Sequence, residues 1–348
     1  TMTGVIAGFE STGIDDNATS TAITIDSNEN VTIGADDQLN MSGSHNEGGA
    51  LIHLKGTDTP AADKNLGALN FGNSTDASLA MIRGLSTASD AADMLFFTEP
   101  SGGSIEERMR INSSGNVGIG VVPETSGSNY NVLQIGQGGS LMAPTATEDM
   151  YVGSNVYRNS SNTNSYIVTE KASIYEQYNG EHYLNVAPSG SADAAISFAV
   201  GMKISNSGIV TKPLQPCFSG VPTSTYDYSV NAYHTVQFGE DYDIGSNFTN
   251  SIFTAPVTGK YQLNYMVRGD YLPTNTAYIY FFIETSNRSY MTIRSANRND
   301  NTYYSWTGSV LADMDAGDTA AVKFYLANGT NNQFDIMSQG NFSGFLAC

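Results

Sequence analysis

Tyr261-Gln262-Leu263-Asn264-Tyr265-Met266-Val267 alternates apolar and polar side chains through its first five residues and stays apolar after them. A two-residue period sends one set of side chains to a core face and the other to water, so the stretch reads as a half-buried β-strand. Upstream, Ile252-Phe253-Thr254-Ala255 leads through Pro256 and Gly259 into it. Downstream, the same patterning between turn residues predicts strands over 277–285, 289–295, 304–311, 319–326 and 334–345, with the first running 259–267. The 348 residues are 14% charged and 40% hydrophobic, with 35 glycines. Runs of good helix formers are scarce. The fold class read from this is all-β, in two or three domains.

The net charge is −19. That leaves no basic footprint for nucleic acid and opposes an anionic membrane surface. No apolar run approaches the ~20 residues that span a bilayer; the longest, Ala194-Ala195-Ile196-Ser197-Phe198-Ala199-Val200, is strand-length. Residues 1–20 lack the basic start and apolar centre of a signal peptide. The chain opens inside a repeat, as a fragment or processed chain would.

Residues 1–213 differ from the remainder. Ile25-Asp26-Ser27-Asn28-Glu29-Asn30-Val31-Thr32-Ile33-Gly34 returns as Ile111-Asn112-Ser113-Ser114-Gly115-Asn116-Val117-Gly118-Ile119-Gly120, and in decayed form as Ile204-Ser205-Asn206-Ser207-Gly208-Ile209-Val210. The copies start 86 (111 − 25) and 93 (204 − 111) residues apart, a long-module repeat. Each reads as a hairpin, with Gly115 and Gly208 supplying a positive φ; Glu29 holds that place in the first copy, so its turn differs. Strands are expected at Leu51–Leu54, Leu66–Phe71, Leu95–Thr98, Met109–Ile111, Ser165–Thr169 and Ser173–Tyr175. Their apolar content is too thin for one chain to bury, and three chains about a common axis would hide it. Residues 1–120 therefore read as β-rich stalk repeats and 121–213 as a further repeat or small knob. Pro213 and Pro216 mark an extended passage into the next unit.

Glu106-Glu107-Arg108-Met109-Arg110-Ile111, followed by Gly115-Asn116-Val117-Gly118-Ile119-Gly120, resembles the repeats of bacteriophage tail fibres and related particle appendages. Ile14-Asp15-Asp16-Asn17-Ala18-Thr19-Ser20-Thr21-Ala22-Ile23 is similar to marine phage fibre repeats. Residues 214–348 carry Pro216-Cys217-Phe218, Val236-Gln237-Phe238, Ile252 to Tyr261, Gly308-Ser309-Val310-Leu311, Ala316-Gly317-Asp318 and Phe342-Ser343-Gly344-Phe345-Leu346. This set resembles the globular head of complement component one, subcomponent q, a tumour-necrosis-factor-like jelly roll. The resemblance implies a homotrimeric β fibre ending in an eight-stranded jelly-roll head that binds a target. It also implies that the first and last strands pair, which would bring Cys217 near Cys348 for a disulfide; the alternative is two free thiols, as in a reducing cytosol.

In such a head, turns alternate between the two ends, so the loops after odd-numbered strands form the tip. These hold Asp270, Tyr271 and Asn275; Asn297, Arg298, Asn299, Asp300 and Asn301; and Asn328, Asn331 and Asn332; Tyr226 and Tyr228 are a further contribution. Amide and aromatic groups together suit sugar or polar-surface recognition, although Asn and Asp also simply make turns. Glu240, Asp241 and Asp243 are candidate Ca2+ ligands, against the alternative of a solvated acidic loop; no other cofactor is expected. Arg268-Gly269-Asp270 spells an integrin tripeptide that recurs by chance. Tyr303, Tyr304 and Trp306 are expected to divide between core and inter-chain contact.

Catalysis finds little support. His45, His53, His182 and His234 are scattered, and no Gly-x-Ser-x-Gly elbow occurs. The reading is a phage tail fibre: made in the host cytoplasm, carried on the virion, held by other tail proteins, and binding a host glycan or outer-membrane receptor without entering the membrane. Its rivals are a structural appendage, a secreted complement-like recognition protein and a polysaccharide depolymerase.

Overall fold

The protein was described from a computed structural model, which covers residues 23–25, 31–33, 54, 61–73, 75–273, 275–295, 303–329 and 333–348. Among these residues every regular element is a strand.

β1 (Ile23–Ile25) and β2 (Val31–Ile33) form a hairpin. A twelve-stranded sheet comes next. Its strands are β3 (Lys64–Phe71), β4 (Ala80–Ala88), β5 (Ala91–Thr98), β6 (Glu106–Ile111), β7 (Val117–Ile119), β8 (Tyr130–Ile135), β9 (Gly139–Pro144) and β10 (Met150–Ser154), then β13 (Glu170–Tyr178), β14 (Glu181–Gly190), β15 (Ala199–Ile204) and β16 (Val210–Thr211). β11 (Tyr157–Arg158) and β12 (Asn164–Ser165) form a separate two-stranded excursion. The sheet keeps chain order and is antiparallel throughout, except that β7 runs parallel to β8, with Val117 opposite Leu133.

The residues flanking each copy of the repeated phrase pair in the same register. Ile25 pairs with Val31, Ile111 with Val117 and Ile204 with Val210. In the second copy the Asn112 amide donates to the Asn116 carbonyl and the Gly115 amide to the Asn112 carbonyl, both at 2.9 Å. Ser205 and Gly208 make the matching bonds in the third copy, also at 2.9 Å. Gly115 and Gly208 are left-handed, at φ 84° and 80°. The turn containing Glu29 lies outside the described residues, as do Leu51–His53 and Ile14–Ala22.

Two expectations fail locally. In the 165–169 segment only Ser165 lies in a strand, β12; Tyr166 and Ile167 are instead buried, Tyr166 in a cluster with Val132, Met142, Tyr151, Val156, Ala172 and Ile174. Three consecutive buried residues, Ser165, Tyr166 and Ile167, do not follow the two-residue period of a strand. Pro213 is not extended: the Gln215 amide donates to the Lys212 carbonyl (3.0 Å), closing a turn with proline at its favoured second position.

From residue 217 the chain builds two facing sheets. One runs β20 (Phe238–Ile244), β17 (Cys217–Pro222), β28 (Phe334–Leu346), β23 (Gly259–Asp270), β26 (Tyr304–Met314), with β18 (Thr225–Tyr228) also on β28. The other runs β21 (Phe248–Thr249), β22 (Ile252–Thr254), β27 (Thr319–Ala327), β24 (Tyr278–Thr285), β25 (Ser289–Ser295), with β19 (Tyr233–Thr235) on β27. From β22 onward the chain crosses repeatedly between the sheets, which is jelly-roll order, with short strands added to the eight expected. Phe218 is fully buried, stacked on Phe253 (4.5 Å) and Phe248 (4.8 Å) and meeting Phe342 edge-on (5.0 Å). Each such ring pair contributes ~0.5–1.5 kcal/mol beyond its buried area.

Candidate functional site

The Leu346 amide donates to the Pro216 carbonyl (3.0 Å), so the head begins and finishes at one end. β23 and β28 span from there to the opposite end, where Gly269 pairs with Ile336 and Asp270 with Asp335, and β18 joins β28 at Ile336 and Phe334. Of the residues nominated for this far end, Tyr226, Tyr228, Asp270, Tyr271, Asn275 and Asn328 are placed there. Asn297, Arg298, Asn299, Asp300, Asn301, Asn331 and Asn332 lie outside the described residues.

The placed residues do different jobs. Asp270 is only 4% exposed and takes a two-pronged bond from Arg268, Nε to Oδ1 at 3.0 Å and Nη2 to Oδ2 at 2.9 Å. The Arg268 guanidinium also lies 3.9 Å from the centroid of the Tyr303 ring. Arg268-Gly269-Asp270 is thus the end of a strand closed by its own ion pair. Tyr228 packs against the core, edge-on to Phe324 (4.9 Å) and His234 (4.9 Å). Tyr226, Tyr271, Asn275 and Asn328 are exposed. Tyr271, Asn275 and Asn328 are left-handed, at φ 56°, 65° and 56°. Asn tolerates that region, whereas a Tyr held there with its ring in water is a strained residue of the kind that clusters at working sites.

Sequence reading missed an aromatic row at this end. Tyr233, Tyr325 and Tyr280 stand opposite one another across β19, β27 and β24, and Tyr278 lies two residues from Tyr280. Tyr280 stacks on Tyr325 (5.4 Å) and Tyr278 (5.9 Å), and the Tyr233 and Tyr280 hydroxyls are 2.9 Å apart. Desolvation, and next the bond to Tyr233, push the Tyr280 hydroxyl upward, keeping it protonated. Tyr233 remains 65% exposed and Tyr278 41%. The row adjoins the tip loops: the Ala277 amide donates to the Ala327 carbonyl (2.9 Å) and the Asn328 amide to Asn231 Oδ1 (2.9 Å). The available signal was Tyr at alternate positions 278 and 280, but only the cross-strand register brings in Tyr233 and Tyr325.

Beneath the surface, Asp335 accepts the Asp227 amide on Oδ1 (2.9 Å). Burial pushes its carboxyl above the ordinary Asp range; the Asp227 amide pulls it back, and the charges of Asp227 and Asp270 raise it further.

The calcium candidates do not gather. Glu240 and Asp241 are both exposed on β20, where Asp241 is the extra residue of a bulge against Ser219 and Gly220, and Asp243 Oδ2 accepts the Phe248 amide (2.7 Å). Among the described residues no three His, Cys, Asp or Glu side chains could share a metal ion. Cys217 and Cys348 are free thiols. Cys217 pairs with Phe345 on the β17 side of β28, whereas the Cys348 carbonyl accepts the Lys260 amide (2.7 Å) on the β23 side. The last strand separates the two.

No family model matches the chain, and no curated protein does. Solved structures do. The globular domain of zebrafish complement 1qA protein is 15% identical, with a TM-score of 0.31, covering 38% of this chain and 98% of that one. Murine APRIL at pH 8.0 is 22% identical, with a TM-score of 0.28 and the same coverage. The sheet order alone makes the head a jelly roll.

Proposed function

We propose that the chain is one of three identical subunits of a fibre, and that its jelly-roll tip attaches the fibre to a surface glycan or an outer-membrane receptor. The observation that carries this reading is the tyrosine row, with strained Tyr271 and exposed Asn275 and Asn328 beside it, at the end of the head away from the stalk. Aromatic faces with hydroxyl and amide groups at their margin suit sugars, and three tips working together raise avidity without new contacts. The stalk repeats resemble those of phage tail fibres, so the particle is a virion, the neighbours are other tail proteins and the target is a bacterial host. The role is adhesive rather than catalytic.

The test is binding of the purified full chain to immobilised bacterial surface glycans. Wild type should bind, and Tyr271→Ala and Tyr278→Ala should each lose most of the signal with the oligomer mass unchanged. Equal binding by the variants, or none by wild type, favours a purely structural appendage. Oligosaccharide released from the same glycans would overturn the non-catalytic part.

A further inference from the structure

The outward face of the second head sheet continues beyond the tyrosine row. Along β24, Tyr278, Tyr280, Phe282 and Glu284 alternate with Ile279, Phe281 and Ile283 of the core, so the four share the face turned away from it. On β27, Tyr325 lies opposite Tyr280, Lys323 opposite Phe282 and Ala321 opposite Glu284. Phe282 bridges the two ends, with Tyr233 and Tyr280 against its ring (6.1 and 5.9 Å). From Tyr278 to Glu284 the strand covers ~20 Å.

The far end of this face opens into a cavity of about 530 Å³ walled by Glu284, Arg288, Ser289, Thr319, Ala321 and Lys323. That volume is the size of a small-ligand site. Its walls are tied to one another. The Ser286 amide donates to the Thr319 carbonyl (3.0 Å) and the Thr319 amide to Ser286 Oγ (2.7 Å). Asn287 Nδ2 donates to Asp318 Oδ2 (2.5 Å), and the Arg288 amide to Thr285 Oγ1 (3.1 Å). The β24–β25 and β26–β27 turns are thus joined, which lowers the ordering cost of taking a guest.

Charge selects the guest. The chain carries −19 overall, yet two cations and one anion wall this cavity. Glu284 is paired with Lys323, which leaves Arg288 in excess. Among the described side chains of the head, Lys260, Arg268 and Lys323 each have a carboxylate partner and Arg288 has none. Arg288 is exposed, and its guanidinium has the Tyr290 ring 5.9 Å away. A planar guanidinium with open donors matches a carboxylate. Ser289, opposite Glu284 in the ladder, adds a hydroxyl for the ring that bears it.

We infer that this cavity is the acid-binding end of a glycan track: Arg288 takes the carboxylate of a uronic-acid-type sugar while the tyrosine row carries neighbouring rings. The inference rests on the glycan reading above and names the class of glycan, an acidic one.

The full chain is measured against immobilised bacterial capsular polysaccharide rich in uronic acid, native and after its carboxyl groups are reduced to alcohols. Wild type should bind the native form about tenfold more tightly, the scale of one charge-assisted hydrogen bond. Arg288→Gln should lose or invert that preference, since the rest of the chain repels an acidic polymer, and Arg288→Lys should keep part of it. Lys260→Gln, at a head cation outside the cavity, should leave the preference intact, and Tyr278→Ala should weaken both forms alike. Competition needs no variant: free glucuronate should displace the native polymer from wild type, and glucose should not. Four results overturn the inference and leave glycan adhesion standing: equal binding of the two forms by wild type, a preference that survives Arg288→Gln, an equal loss in Lys260→Gln, or displacement by glucose as readily as by glucuronate. Binding of neutral bacterial glycans alone does the same. A wild type that binds no glycan removes the adhesive reading as well.

Discussion

Gly115 and Gly208 occupy the same left-handed place in two turns with the same hydrogen bonds, φ 84° in one and 80° in the other. A third turn joins them. In Asn159-Ser160-Ser161-Asn162 the Asn159 amide donates to the Thr163 carbonyl (3.0 Å), the Asn162 amide to the Asn159 carbonyl (2.8 Å), and Asn162 takes φ 59°. One turn design therefore recurs three times in and beside the twelve-stranded sheet, with Gly or Asn in its fourth position.

That equivalence predicts how position 115 tolerates change. A Cβ there meets nothing within 4 Å, so backbone conformation alone sets the cost. Gly115→Asn should leave urea stability nearly unchanged. Gly115→Val should lose ~1–2 kcal/mol, because a β-branched residue resists the left-handed region. Equal losses would show that the site is limited by space.

Asp93 is 5% exposed and ties a repeat to its neighbour strand: it accepts Arg110 Nη1 (2.9 Å) and the Ser113 amide (2.9 Å). Asp93→Ala should cost ~1–3 kcal/mol, because it leaves the Ser113 amide without its acceptor while Arg110 keeps its two-pronged bond to Glu107. Asp93→Asn, which can still accept the Ser113 amide, should cost less. Chemical denaturation of the three proteins side by side measures both.

Asp335 makes a pH-dependent prediction. Its carboxyl is raised in the folded head, so the folded state holds that proton more tightly than the unfolded chain does. The group is therefore neutral in its effect below the ordinary Asp range and destabilising above its raised value. Asp335→Asn keeps an oxygen for the Asp227 amide and removes the charge. The variant should melt above wild type at pH 7–8 and converge with it as pH falls below the ordinary Asp range. A gap that persists in acid would assign the effect to packing.

The tyrosine row should behave as a unit. Tyr233→Phe removes one hydroxyl and leaves the rings in place, so head stability should change little while glycan binding weakens. Tyr325→Ala removes the ring that stacks on Tyr280 and touches Tyr233, and should lower both. A binding assay run beside a thermal melt separates the two effects.

Strands of the head were legible because their two-residue period is strong: residues 289–295 match β25, and the other five predicted strands differ from the structure by one to three residues at an end. The repeat hairpins were legible because their turns reuse the same few side chains. The Asn159 turn escaped notice because Arg158 and Asn164 stand where the other copies carry Ile and Val, so it has the turn without the phrase. Asp270 was legible as a tip residue by position; its engagement by Arg268 was not, since the two share a side of β23 only through the pleat. The tyrosine row was hidden for a similar reason: its members come from β19, β24 and β27, and pairing between distant strands is set by the whole fold.

The lone parallel pair β7–β8 has an effect on polarity. Seven strands, β7 to β10 and β13 to β15, separate the Gly115 turn from the Gly208 turn. With strict up-and-down alternation an odd count would put those turns on opposite margins of the sheet. One step without reversal restores the parity, so β6 and β15 point the same way and both turns emerge on the same margin. The strands that lead into the two turns then share a heading, so a segment running from one such turn to the next can be added or removed without reversing the strands that follow it.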